Sequence, residues 1–163
     1  MKEIKVLSKI CALIYKQSSF YIERKRIEHL KNYSIDGTKI TKNVEIFNVQ
    51  NVIIGENTYF NSGQIHAGII AKIIIGKNCA IGYNVHIKAR THNIKSPTGE
   101  NMIMIEKDIE IGDNVWIGDN VFIKEGVKIG SNVIIGANSV VTKNIPDNVM
   151  AGGCPAKIIK RLM

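Results

Sequence analysis

The chain lacks most of what small proteins use in place of a core. Its three cysteines (Cys11, Cys79, Cys154) are an odd number with no CxxC spacing. That argues against a disulfide framework and for reduced thiols in a cytosolic protein. At 163 residues one domain can bury a sizeable core without disulfides or metal. Long apolar runs are missing as well. The run ICALIY is too short to span a bilayer, and no small-residue cleavage site follows it, so neither a transmembrane helix nor a signal peptide is expected. Aromatics make up 6% of the chain and are too sparse after residue 34 for a base-stacking platform. Acidic residues are outnumbered 14 to 22, but the excess sits at one end. Residues 1–33 hold eight Lys/Arg against three Glu, which is +5 of the net +8. The rest is close to neutral, which argues against a nucleic-acid-binding face along it.

What the chain does have is a repeat. From Ile111 to Pro146 it reads IGDNVW, IGDNVF, IKEGVK, IGSNVI, IGANSV, VTKNIP, with earlier copies at 54–59 and 75–92. Period six fits neither helix nor alternating strand. An aliphatic residue opens each hexad and points inward. The fifth residue also points inward and is small or β-branched: Cys79, Val85, Thr91, Val115, Val121, Val127, Val133, Ser139. Asn at the fourth place (57, 78, 84, 114, 120, 132, 138, 144) tolerates left-handed backbone angles, and Gly126 replaces it once, so each hexad predicts a short strand and a corner. Three hexads then make a triangular coil of roughly 18 residues, stacked about 4.8 Å apart. The stretches 40–53 and 60–74 fit the period less well, and a bulge or small loop is expected near Ala67-Gly68.

Residues 2–31 read as amphipathic helix, interrupted near Ser18-Ser19. Two domains are expected: a helical cap over 1–34, or alternatively a basic membrane-surface helix over 1–31, and a solenoid over 35–163. The repeat fails between Ile87 and Ile105 and then returns in step, three hexads on, so the gap is expected to replace one coil. The irregular part starts at His92 and continues through the turn-rich NIKSPTGENM, so residues 92–104 are expected to project as a loop. At the other end, Pro155 suggests the start of a short helix within the tail 147–163, whose free N–H groups, with Lys157, Lys160 and Arg161, suit phosphate.

THNIKSP, followed by IEIGDNVWIG, GANSVVTKNIPDNV and AGGCPAK, resembles the hexapeptide-repeat acetyltransferases, closest to the maltose/galactoside and surface-polysaccharide O-acetyltransferase branch. The resemblance covers residues 35–160 and implies an all-β solenoid, a left-handed parallel β-helix. It implies His92 as catalytic base and acetyl-CoA as acyl donor with no metal required. Asp119 (with Gly118, near the thioester), Ala137, Thr142, Lys143, Lys157 and Lys160 would bind the cofactor. It also implies a homotrimer whose subunits share each site, acting on a carbohydrate or nucleotide-sugar acceptor in capsule, O-antigen or exopolysaccharide modification. His86 and Asn93 are the candidate acceptor-binding residues, and Glu100 or a backbone carbonyl could orient His92. Cys154 departs from the Asn usual before Pro-Ala, and Trp116 of VWIG is expected in subunit or groove packing.

Three other readings stand beside this one. The acceptor could be the amine of an amino-sugar nucleotide. A zinc hydratase like the γ-class carbonic anhydrases would use His66, His86 and His92, although paired histidines within one coil are missing. A non-catalytic solenoid would have no use for the polar loop or the tail motif.

Overall fold

The computed structural model describes residues 9, 11–18, 37–95 and 103–162. The chain divides into two compact units, 1–32 and 33–163. In the first, residues 11–18 are helical and exposed. The second helical segment expected through residue 31 lies outside the described residues, and so does any capping or membrane contact it makes. No helix among the described residues is long and apolar enough to cross a membrane.

The second unit is a parallel β-solenoid with three faces. Face I carries β1 (Lys39–Ile40), β4 (Tyr59–Phe60), β7 (Ala80–Ile81), β12 (Trp116–Ile117), β15 (Ile134–Ile135) and β17 (Val149–Gly152). Face II carries β2 (Val44–Phe47), β5 (Gly63–His66), β8 (Val85–Lys88), β13 (Phe122–Ile123) and β16 (Val140–Val141). Face III carries β3 (Val52–Ile54), β6 (Ile73–Ile75), β11 (Ile109–Ile111) and β14 (Lys128–Ile129), extended by an Ile129–Ile145 bridge. The chain visits I, II and III in turn, and each strand pairs in parallel with those one coil away. This is the architecture expected from the hexads.

The burial follows the repeat. Ile75, Ile81, Ile87, Ile111, Ile117, Ile123, Ile129 and Ile135 fill the axis, and Cys79, Val85, Val115, Val121, Val127, Val133 and Ser139 sit beside them. Thr91 is the exception among the fifth positions and is only half-buried. The corners are closed by asparagines with φ between 53° and 58°. At the III–I corner Asn57, Asn78, Asn114, Asn132 and Asn148 form one ladder, each Nδ2 donating to the next Oδ1 at 3.0–3.3 Å. Asn84, Asn120 and Asn138 form a second at the I–II corner, at 2.9 and 3.1 Å. Asn144, at the II–III corner, does not take the left-handed conformation; its Oδ1 accepts the Lys128 N–H instead.

Coil length is where the sequence period misleads. Trp116 pairs with Ile134 and Phe122 with Val140, both 18 residues apart, but Gln64 pairs with His86 across 22 residues and Val52 with Ile73 across 21. The extra residues lie at the II–III corner: a 3-10 turn at Val49–Asn51 and a loop over 67–72, which is the break expected near Ala67-Gly68. Ile73 pairs with Ile109 across 36 residues, because the chain leaves the same corner a third time.

The C-terminal helix expected at Pro155 is not formed. Residues Lys157–Arg161 are a strand, β18, running antiparallel to β17. Sheet I ends in an open strand edge, and pairing of the tail with β17 satisfies backbone groups that a helix would leave bare. No helix N-terminus forms at Pro155 to receive an anion.

Candidate active site

The third departure from the II–III corner is a two-stranded antiparallel ribbon. β9 (Arg90–His92) pairs with β10 (Met104–Glu106) in the register Arg90–Glu106, Thr91–Ile105, His92–Met104. It starts at Arg90 and so takes Thr91 out of the coil, two residues earlier than a loop beginning at His92. Ile105, which looked like the return of the repeat, belongs to the ribbon; the coil resumes at Ile109. The Lys107 N–H donates to the Ala89 carbonyl at 2.9 Å, so the ribbon's two feet meet.

His92 is exposed at the far end of β9. Among the described residues its ring meets no hydrogen-bond partner. Glu100 lies outside the described residues. Asn93 continues the ribbon through its N–H to the Ile103 carbonyl (2.9 Å), and its Oδ1 accepts the Lys95 N–H at 2.9 Å. Exposed Ile94 and Ile103 flank this end.

The ribbon rises from β8, the strand that carries His86. Outward along face II run Glu45, Gln64, His86, Phe122 and Val140, successive register partners. Gln64 Nε2 donates to Glu45 Oε2 at 2.7 Å. The His86 ring is fixed by the asparagine ladder. Asn84 donates its Nδ2 to Asn120, so its Oδ1 is left to accept from His86 Nε2 at 2.9 Å. The neutral tautomer with Nε2–H leaves Nδ1 as a buried acceptor without a partner among the described residues. Burial holds the His86 pKa below the ordinary histidine value, and Lys88 adds to the shift, with Glu45 opposing it.

His66 occupies the next outward row. It stacks on Phe47 with ring centroids 4.7 Å apart, and its pKa is lowered by burial, then by Arg90 and Lys88. The three histidines thus occupy two rows of face II and the ribbon. Among the described residues no group of three His, Cys, Asp or Glu side chains is placed to hold a metal ion.

The cofactor candidates fall along two edges of the C-terminal part of face II. Asp119 and Ala137 are stacked at the I–II corner, where the Asn138 N–H donates to the Asp119 carbonyl at 2.9 Å. Thr142 and Lys143 follow β16 at the II–III corner, the edge from which the ribbon rises. Phe122 and Val140 lie between these edges. Lys157 pairs with Gly152 near the I–II corner, whereas Lys160 pairs with Met150 out on face I. The Asp119 carboxylate accepts the Tyr83 N–H at 2.7 Å. Asp113 and Asp147 bind backbone N–H groups one coil away in the same way, at 2.9 and 2.7 Å. The side chain of Asp119 therefore serves the corner.

Sequence reasoning missed Glu106, Asp108 and Arg90. The signal was present: two carboxylates at alternate positions of an extended segment reach the same side of the chain. Together they bind the N–H groups of Ile69, Ile70, Ala71 and Lys72 in the loop one coil away. An open groove of about 690 Å³ on face III, lined by Ile74, Glu110, Lys128 and Pro146, is spanned by the Glu110–Lys128 ion pair (2.8 Å) and has no histidine among its lining residues.

Residues 108–143 match the family described as bacterial transferase hexapeptide (six repeats), and 72–87 match the hexapeptide repeat of succinyl-transferase. The fold is similar to that of a maltose O-acetyltransferase from Clostridium difficile 630, at 34% identity and TM-score 0.75, covering 86% of this chain and 76% of that one. It is similar to a galactoside acetyltransferase solved with coenzyme A, at 33% identity and TM-score 0.74, covering 87% and 72%. A Dictyostelium discoideum protein provisionally named an acetyltransferase is 43% identical over 112 residues, 69% of this chain. The alignment spans 58% of that relative's length.

Proposed function

Because the chain belongs to the hexapeptide-repeat acetyltransferases, the family of the maltose and galactoside enzymes, we propose that it transfers acetyl from acetyl-CoA to a sugar hydroxyl, with His92 as general base. The observation that carries this is the ribbon. It is the place where a closely paired stack opens, and it holds an exposed imidazole beyond the II–III edge, on which Thr142 and Lys143 also lie. A sugar hydroxyl is a weak nucleophile near neutral pH, and neutral His92 takes its proton as the oxygen attacks the thioester carbonyl. The new C–O bond gives a tetrahedral oxyanion. Backbone N–H groups at Gly118-Asp119, held by the corner, can receive that charge without reorganising. Collapse breaks the C–S bond, and the CoA thiolate leaves with the proton from the imidazolium.

Asp119, Ala137, Thr142, Lys143 and Lys157 would line the cofactor, Lys160 reaching it from face I, and His86 and Asn93 would meet the acceptor. A homotrimer completing each site between subunits fits the apolar outer row of face I, where Tyr59 and Trp116 are exposed beside Ile134 and Met150. Work on surface polysaccharide in the cytoplasm is part of the same reading. The test is CoA-thiol release across a panel of sugars, nucleotide-sugars and oligosaccharides. His92→Ala should lower transfer by roughly 10² to 10⁴ with the circular dichroism unchanged. Full activity in that variant refutes the mechanism, and preference for an amino-sugar nucleotide would reassign the acceptor.

A further inference from the structure

The ribbon carrying His92 has its own anchor. Glu106, at the foot of β10, is register partner to Arg90 at the foot of β9, two residues before His92. Its side chain is only 10% exposed. Its Oε2 accepts the N–H groups of Ile70 (2.9 Å) and Ala71 (3.3 Å), and its Oε1 accepts that of Ile69 (3.1 Å). Arg90 Nε, buried and without a hydrogen-bond partner among the described residues, lies 3.6 Å from Oε1. Asp108 extends the grip to the Lys72 N–H at 2.7 Å. The loop is shaped to receive the carboxylate: a Cβ on Gly68 would lie 2.3 Å from Glu106 Oε2. Asn51 Nδ2 holds the far side through the Gly68 and Ile69 carbonyls, at 3.1 and 2.8 Å.

Four consecutive amides bound by two carboxylates exceed what joining two coils requires, since the ribbon's feet are already closed by the Lys107–Ala89 hydrogen bond. A two-stranded ribbon standing off a corner is otherwise free to rock about those feet. We propose that Glu106 is a positioning residue, fixing the ribbon against the 67–72 loop so that His92 is held at one angle over the reacting hydroxyl. Only the carboxylate suits the site, because every group facing it is a donor. A Gln at this position turns an NH2 group toward an amide N–H and loses the attraction of Arg90. The inference rests on His92 being the base, as proposed above.

The experiment is steady-state kinetics on Glu106→Gln, His92→Ala and the double variant, with hydrogen exchange read over residues 69–72 and over the ribbon. Glu106→Gln should lower kcat about 10- to 100-fold, as small misplacements of a catalytic group do, and leave KM for acetyl-CoA within twofold. In the His92→Ala background the same change should have almost no effect. The amides of Ile69, Ile70 and Ala71 should exchange about tenfold faster or more. Gly68→Ala is the second variant, displacing the carboxylate while Glu106 stays in place, and it should reproduce the loss if Glu106→Gln does not fold. A kcat within twofold of wild type in either folded variant overturns the proposal, as does an equal loss with and without His92. Failure of the base assignment is distinguishable, because His92→Ala alone would then remain active. Unchanged exchange at 69–71 in Glu106→Gln overturns the anchor itself.

Discussion

Asn120 and Asn144 occupy the same fourth place of their hexads, yet replacing them should have very different costs. Asn120 stands at φ 56° and links two neighbours: it accepts from Asn84 at 2.9 Å and donates to Asn138 at 3.1 Å. In Asn120→Ala the left-handed conformation costs roughly 1–2 kcal/mol for a residue with no local hydrogen bond to offset it. Each lost side-chain hydrogen bond adds about 0.5–1 kcal/mol, the low end because the ladder is exposed. The sum is about 2–4 kcal/mol. Asn144 is absent from the positive-φ corners and makes one bond, from the Lys128 N–H at 2.9 Å, which water can replace on an exposed corner. Asn144→Ala should therefore cost about 0.5–1 kcal/mol. Urea unfolding followed by circular dichroism at one fixed protomer concentration measures both. Asn120→Gly supplies the control, since it relieves the backbone contribution while still losing both bonds. Equal midpoint shifts for the two Ala variants would refute the argument that corner conformation and ladder, not the Asn itself, carry the stability.

Gly63→Ala should prevent folding or lower the unfolding midpoint beyond any single ladder change, because at φ 132° its Cβ would fall 1.9 Å from the Val85 carbonyl oxygen. A variant with wild-type thermal unfolding would contradict the observed β5–β8 register. Stability should also fall as pH drops from neutral. His86 and His66 have pKa values lowered chiefly by burial, so the unfolded chain binds more protons below the ordinary histidine range. Their contribution is complete above that range and is lost as pH falls through the depressed values. Glu106 acts in the same direction in the carboxylate range, lowered first by its bond from Ile70 and also by those from Ile69 and Ala71, against burial. Urea midpoints that stay flat or rise on acidification would refute both parts.

The solenoid was legible because each hexad repeats one physical solution: an aliphatic inward, a small residue beside it and a left-handed corner. The irregular features were legible only as failures of that pattern. The letters falling back in step at Ile105 suggested that the loop replaces one coil, whereas the register from Ile73 to Ile109 shows a coil with an 18-residue excursion added. Loop length, which the stack does not constrain, produced that coincidence. Asn144 misled because sequence gives identity and not φ. Pro155 misled because a proline after a turn suits a helix start and an edge strand equally well, and the unpaired edge of β17 decided between them. Glu106 was missed because its alternation with Asp108 puts two carboxylates on one side of the chain without naming their partners, main-chain amides of a loop 35 to 37 residues earlier.

The Lys107–Ala89 hydrogen bond at the ribbon's feet has a consequence for change over time. An excursion that starts and ends at one spot can grow, shrink or be exchanged without shifting the frame of a single strand above or below it. The scaffold behaves as a socket, and the ribbon, proposed above to meet the acceptor, is a removable insert. Joining Ala89 directly to Lys107 should still leave a folded stack, and ribbons from relatives with other acceptors should seat in the same socket wherever they bring their own carboxylate for the 69–72 loop.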